Sequence, residues 1–330
     1  MNWDMILQWS FLVALVTAGV RLAVPVLLAT LGEIITERSG VLNLGLEGVM
    51  VMGAVTGFMV AYYLETGPFA DSSGSMAIWL GLAAGVLAGM AMGLIMAWLS
   101  VSLEVDQVIA GVTLVVFGHG MANYIYRQQF SSLTARVSGL EPVNVPFLSD
   151  IPVVGELFFQ YDPTVYLTAI LVFVTWFLLF RTTWGLKIRA VGENPAAADT
   201  SGVGVVPVRY AATLIGTGLA GLGGAVLTVV QLQLFREGIT GGRGWIAVAL
   251  VIFARWRPGL ALVGALLFGL ADALQFRIQV FSQVERGVGA IPYEFLLMLP
   301  YVLTLLALIY RRGRGDAPAA LGRPYSEETH

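Results

Sequence analysis

From Met76 to Val101 the chain carries no charged side chain. A helix needs ~20 predominantly apolar residues to cross a bilayer, so this run is long enough to span with some tilt. Comparable apolar runs cover residues 8–31, 44–64, 107–125, 164–180, 210–232, 238–256, 260–280 and 295–310. The expectation is an all-α, polytopic transmembrane helix bundle of about nine spans. Eight or ten remain open, because the short segments also read as broken or re-entrant helices. The chain is 57% hydrophobic and 12% charged, against ~25% charged residues in soluble domains. That leaves almost no chain for a soluble domain. One membrane domain is expected over residues 1–315, with a flexible polar tail over 316–330. Residues 1–10 lack a basic region and hold Asp4, so no cleaved signal is read there.

Orientation follows from Lys and Arg near the span ends. Arg181, Lys187, Arg189 and Arg209 flank one polar loop, Arg255 and Arg257 share a short turn, and Arg311, Arg312 and Arg314 follow the last run. Nine spans place all three clusters on one side. That side is expected to be cytoplasmic, with the C-terminus inside and the 126–163 loop outside.

The loop at 181–209 contains the most structured polar stretch, Gly192 to Val205 (GENPAAADTSGVGV). Asn194 can cap a helix, Pro195 suits its first position, and Ala196, Ala197 and Ala198 are strong helix formers. Gly202 supplies a stop. The spacing predicts about two turns of helix projecting between two spans. Such a helix can be a knob for another protein's socket. The same residues also read as an ordinary connection.

Gly81, Gly85, Gly89 and Gly93 recur every four residues, and Gly216, Ala220 and Gly224 repeat the pattern. On helices these form small-residue faces that let another backbone approach closely, a packing role. Residues 40–57 and 238–257 each begin with glycine-interrupted backbone and run into a small-residue helix. Paired interruptions of this kind point to a substrate path in transporters. Asn43, Glu47, Trp245 and Phe253 are the path candidates. Glu47 also reads as a helix cap or as a partner of Arg38. Trp245 also reads as an interfacial anchor.

Much chemistry is excluded. Lys187 is the one lysine, so no GxxxxGK[ST] phosphate loop exists. The histidines are His119 and His330, which excludes HExxH, and there is no GxSxG elbow or cysteine. No metal site is expected, and a membrane enzyme has no nucleophile to rest on. Polar groups within spans are Arg21, Asn43, Glu47, His119, Asn123, Gln231, Asp272 and Gln275. Each is a functional candidate, because such groups are costly in lipid. Asp272 is expected to pair with Arg277 or cap a neighbouring helix, and His119 to be a hydrogen-bonding group. An ion-coupled transporter would use Glu47 or Asp272.

Four runs carry a resemblance to a known family. ERSGVLNLGLEGVMVMGA (Glu37 to Ala54) resembles the opening of permease subunits of bacterial ABC importers for nucleosides, relatives of the ribose and branched-chain amino acid permeases. KIRAVGENPAAADTSGVGV (Lys187 to Val205) is similar to the family's cytoplasmic loop that docks on the ATPase. Gly242 to Gly269 and Leu299 to Ile309 match its later part. The resemblance implies a multi-pass permease of the bacterial cytoplasmic membrane. It implies an ATPase-coupling loop at Gly192, Glu193, Asn194, Pro195, Ala197, Ala198 and Gly202. ATP and Mg would sit on the partner ATPase, with no cofactor on this chain. The other implied partners are a second permease in a heterodimer, an extracytoplasmic substrate-binding lipoprotein and membrane lipid. No nucleic-acid partner is expected. Ribose-like sugars and branched-chain amino acids remain alternative substrates.

Overall fold

The computed structural model describes residues 9–67, 70–130, 135–143, 154–284 and 317–325, with single positions 146, 149, 151, 298 and 302. The described residues are helical or irregular, with no strand among them. In lipid a backbone must satisfy its own hydrogen bonds, and the helix does so within one segment.

Among the described residues, seven helices are long and apolar enough to cross a membrane. They belong to α1 (Trp9–Arg38), α2 (Leu46–Thr66), α3 (Ala70–Ala97), α4 (Gln107–Gln129), α6 (Pro163–Arg181), α9 (Val205–Ala225) and α11 (Pro258–Val284). Two of them continue as π-helical turns, α3 over Trp98–Ser102 and α9 over Val226–Gln231. Shorter helices are α5 (Val154–Phe158), α7 (Thr183–Glu193), α8 (Pro195–Thr200) and α10 (Arg243–Ala254). The expected crossing at 238–256 is thus an apolar helix of 12 residues, ~18 Å long and too short to span alone. The expected run at 295–310 lies outside the described residues. With both, the pattern is compatible with about nine crossings.

α9 is the central helix and is buried along most of its length. It packs on α1, α2 and α3, while α11 and α10 lie along α1. Apolar burial drives little between helices already in lipid, so close backbone approach must hold them. A side chain at Gly53 or Gly85 would strike the Gly221 carbonyl or Ala225, and one at Gly224 the Met50 carbonyl. A side chain at Gly89 would strike the Thr217 carbonyl, one at Gly93 the Thr217 hydroxyl, and one at Gly81 the Gly57 carbonyl. The α3 glycines therefore line the seams to α2 and α9. The apolar side chains left outside, such as Ile109, Val116 and Phe173, suit a lipid-facing surface.

One boundary differs from the sequence reading. Gly32 to Asn43 reads as a polar patch after the first run, yet α1 continues through its first part to Arg38 with Glu33 and Glu37 buried. One oxygen of each has a partner. The Asn43 N–H donates to Glu33 at 3.0 Å, and Trp256 Nε1 donates to Glu37 at 2.6 Å.

Candidate functional site

The first half of the site is α8 and its setting. Asn194 is extended, and its Oδ1 accepts from the Ala197 N–H at 3.1 Å. Pro195 takes the first helical position, where its missing N–H has no helical use. Ser201 and Val203 N–H groups close the C-terminal end on Ala197 and Ala198 carbonyls. Gly202 has φ +81°, a conformation open to glycine. The result is the short capped helix that the residue order predicts.

Its residues divide into two sets. Ala198 and Gly192 are buried, while Glu193, Asn194 and Ala197 are exposed. Gly192 sits against Arg38, where a side chain would strike the Arg38 carbonyl. The outward face is therefore Glu193, Asn194 and Ala197, and the inward set anchors it.

The C-terminal segment supplies a support absent from the sequence reading. The tail was expected to be flexible, but residues 317–325 lie against this end. The Ala320 N–H donates to the Gly192 carbonyl at 2.9 Å, and the Gly322 N–H to the Gly40 carbonyl at 3.0 Å. Ala319 N–H reaches Glu193 at 3.3 Å, and Tyr325 OH reaches Asp199 at 3.2 Å. Arg209, fully buried, donates Nη1 to the Arg323 carbonyl at 3.2 Å. Two glycines with bare carbonyls make this docking possible, and no local pattern announces it. A chain ending at Asp316 is expected to expose Arg209, buried under the tail, to faster limited tryptic cleavage. Its melting temperature should fall by about 2–4 °C, the shift ~1 kcal/mol produces in a chain of a few hundred residues. An unchanged digestion pattern would rule out the support.

The second half lies deeper. Gly238, Gly241 and Gly242 have positive φ, so the chain before α10 is unwound. α10 then begins inside the bundle, and its first N–H groups lack helical acceptors. Glu47 of α2 supplies them. Its Oε1 accepts from Thr240 OH at 2.5 Å and from Gly242 N–H at 3.0 Å, and its Oε2 from Gly244 N–H at 2.6 Å. Glu47 is 3% exposed. A buried carboxylate at a helix N-terminus is stabilised by both the N–H groups and the helix dipole. The two glycine-interrupted segments thus meet at one carboxylate.

Beside this cap, Arg243 Nη2 pairs with Asp272 at 3.0 Å, and Nη1 donates to the Thr240 carbonyl at 3.2 Å. The expected Asp272–Arg277 pair does not form. Arg277 lies five residues on, ~140° round the helix, and stacks on Phe11 at 4.9 Å. Nor does Glu47 pair with Arg38.

The four path candidates have different surroundings. Asn43 is buried, with Oδ1 accepting from Gly45 N–H at 3.0 Å. Trp245 points outward at 42% exposure, and Phe253 is half-buried against Leu250 and Gly264. A cavity of about 650 Å³ is lined by other residues. His119 Nδ1 lies 3.1 Å from the Val115 carbonyl of its own helix. Among the described residues no group of His, Asp and Glu is arranged to hold a metal.

The chain belongs to the branched-chain amino acid transport system / permease component family, whose model matches residues 15–308. A putative glucose ABC transporter permease protein of Haloferax volcanii, TsgC13, is 47% identical over 97% of this chain and 99% of its own. The guanosine ABC transporter permease protein NupQ of Bacillus subtilis is 38% identical over 94% and 96%. The nucleoside ABC transporter permease protein NupC of Lactococcus lactis is 35% identical over 91% and 93%. No solved structure matches the chain.

Proposed function

We propose that this chain is the membrane subunit of an ATP-driven importer that carries a nucleoside inward. The observation that carries the reading is α8. It is capped at Asn194, buried at Ala198 and presented outward at Ala197, in a chain that has no phosphate-binding loop. Work from ATP must then arrive through another protein. Two ATPase subunits, holding ATP and Mg, take the outward faces of α8 from this chain and from a second permease. Their closure draws the two faces together and tilts the permeases between outward- and inward-facing states. A lipoprotein that binds substrate delivers it at the opposite end. The membrane is the bacterial cytoplasmic membrane, with the basic end and C-terminus inside.

Glu47 supports a neutral cargo. The N-terminus of a half-helix attracts anions, and in transporters it can hold a substrate carboxylate. Here the protein's own carboxylate fills it, so an amino-acid substrate gains nothing there. Glu47 and Asp272 are both engaged, which disfavours them as mobile proton carriers. The NupQ and NupC relatives support a nucleoside; the 47% identity to TsgC13 supports a hexose as the second reading. Uptake of labelled guanosine and labelled glucose by the assembled importer in proteoliposomes separates them. Guanosine entry that requires internal ATP is expected. Entry that persists without ATP and collapses with an uncoupler would sink the ATP-driven reading.

A further inference from the structure

We infer that the junction of α6 and α7 is a binding site for the headgroup of an anionic phospholipid. This goes beyond the proposed function and does not depend on the cargo. From Arg181 to Gly192 the chain holds three cations, Arg181, Lys187 and Arg189, and no carboxylate. Among the described residues none of the three is ion-paired. The next carboxylates along the chain, Glu193 and Asp199, are engaged by the tail. They accept from the Ala319 N–H and the Tyr325 hydroxyl.

The depth of this junction follows from α6. Its 19 residues make ~28 Å of helix, close to the ~30 Å hydrocarbon core of a bilayer. Arg181 is its last residue, so the guanidinium stands at headgroup depth. It lies 5.5 Å from the ring centre of Trp176, a residue type that favours the same boundary. Thr182 is then extended, and α7 starts in a new direction. Its first turn packs back on α6, where a side chain at Gly185 would strike the Leu178 carbonyl. One turn on, Arg189 stacks on Phe180 at 5.3 Å. α7 therefore crosses the end of α6 at the level of the headgroups.

The outward face of α7 has the composition of that boundary. Gly185, Ile188, Val191 and Gly192 are buried in the bundle. Trp184, Leu186 and Lys187 are exposed on the other side. At ~100° per residue Lys187 falls between the two apolar side chains. Water would leave Trp184 and Leu186 uncovered, whereas the acyl boundary takes both and leaves the ammonium among the phosphates. Helices with this pattern of aromatic, leucine and lysine lie in the membrane interface. The positive end of the α7 dipole, beside Arg181, adds to the field. A zwitterionic headgroup brings its own cation to an already basic site. A headgroup with net negative charge is the complement, and unpaired Lys and Arg at a membrane surface draw such lipids.

Native mass spectrometry of the full chain, in detergent with equal amounts of phosphatidylglycerol and phosphatidylcholine, tests this. Wild type should retain phosphatidylglycerol in preference. Arg181→Gln and Lys187→Gln should each weaken the first bound phosphatidylglycerol about fivefold, and the double variant about twentyfold, from the pull of an anionic surface on each cation. Phosphatidylcholine binding should stay as in wild type. Lys187→Arg keeps the charge and should keep the preference. Arg127→Gln removes a cation already paired with Glu237 and should change nothing. Unchanged melting temperatures without added lipid check that the variants are folded. No preference in wild type, or one that the double variant keeps, overturns the inference. So does displacement of the lipid by soluble glycerol phosphate at the same concentration, which makes this a plain phosphate site. Loss of ATPase copurification at an unchanged lipid preference also overturns it, and gives the face to a protein. None of these readings uses uptake, so a failure here leaves the proposed function standing.

Discussion

Ala197→Trp is expected to abolish ATP-driven uptake while leaving the permease folded. Ala197 is exposed and contributes only backbone to the cap of α8. An indole there changes no internal contact but blocks a docked partner. A clash of that size at a packed interface costs roughly 2 kcal/mol or more, about thirtyfold in affinity. The ATPase should no longer copurify with the permease, and uptake should fall with it. Full copurification and full uptake in Ala197→Trp would refute the docking role. Neighbouring positions give a contrast. Ala198 is 5% exposed and packs in the core, so Ala198→Trp should unfold this end. Gly192 is likewise no clean test of docking, because its side chain would meet the Arg38 carbonyl.

Glu47→Ala is expected to be the most damaging single change inside the bundle. It strands two N–H groups, of Gly242 and Gly244, and the Thr240 hydroxyl. Each unmet group costs ~1–3 kcal/mol, more where water is scarce. The sum is several kcal/mol, comparable to the stability of a typical domain, ~5–15 kcal/mol. Little monodisperse protein should survive detergent extraction. Glu47→Gln keeps one acceptor oxygen but turns an NH₂ towards the donors, so an intermediate loss is expected. Thermal unfolding in detergent measures both. A Glu47→Ala protein melting like wild type would show that the half-helix does not depend on this cap.

Much of the fold is legible along the chain because lipid imposes a local rule. A crossing that faces lipid must be a continuous apolar helix, and among the described residues seven of the nine expected runs appear as crossing-length helices. α8 is legible for a similar reason, since Asn194, Pro195 and Gly202 act within a few residues of themselves. The glycine spacing at 81, 85, 89 and 93 marks a close seam, although only the fold says that α2 and α9 fill it.

Partners distant in sequence were not legible. Glu47 is a visible anomaly in an apolar run, but its hydroxyl partner, Thr240, lies 193 residues away. Asp272 suggests its near neighbour Arg277, yet helical rotation turns that residue aside and brings in Arg243. The tail reads as polar and flexible, and only folding reveals the open carbonyls of Gly40 and Gly192 that receive it. The sequence by itself determined a many-helix membrane protein with a capped helix in a basic loop, because both follow from short-range backbone rules. The tertiary structure alone decided which carboxylate caps the half-helix, what holds α8 in place and where a cavity opens. Those outcomes depend on polar groups far apart in sequence finding each other where water cannot replace them.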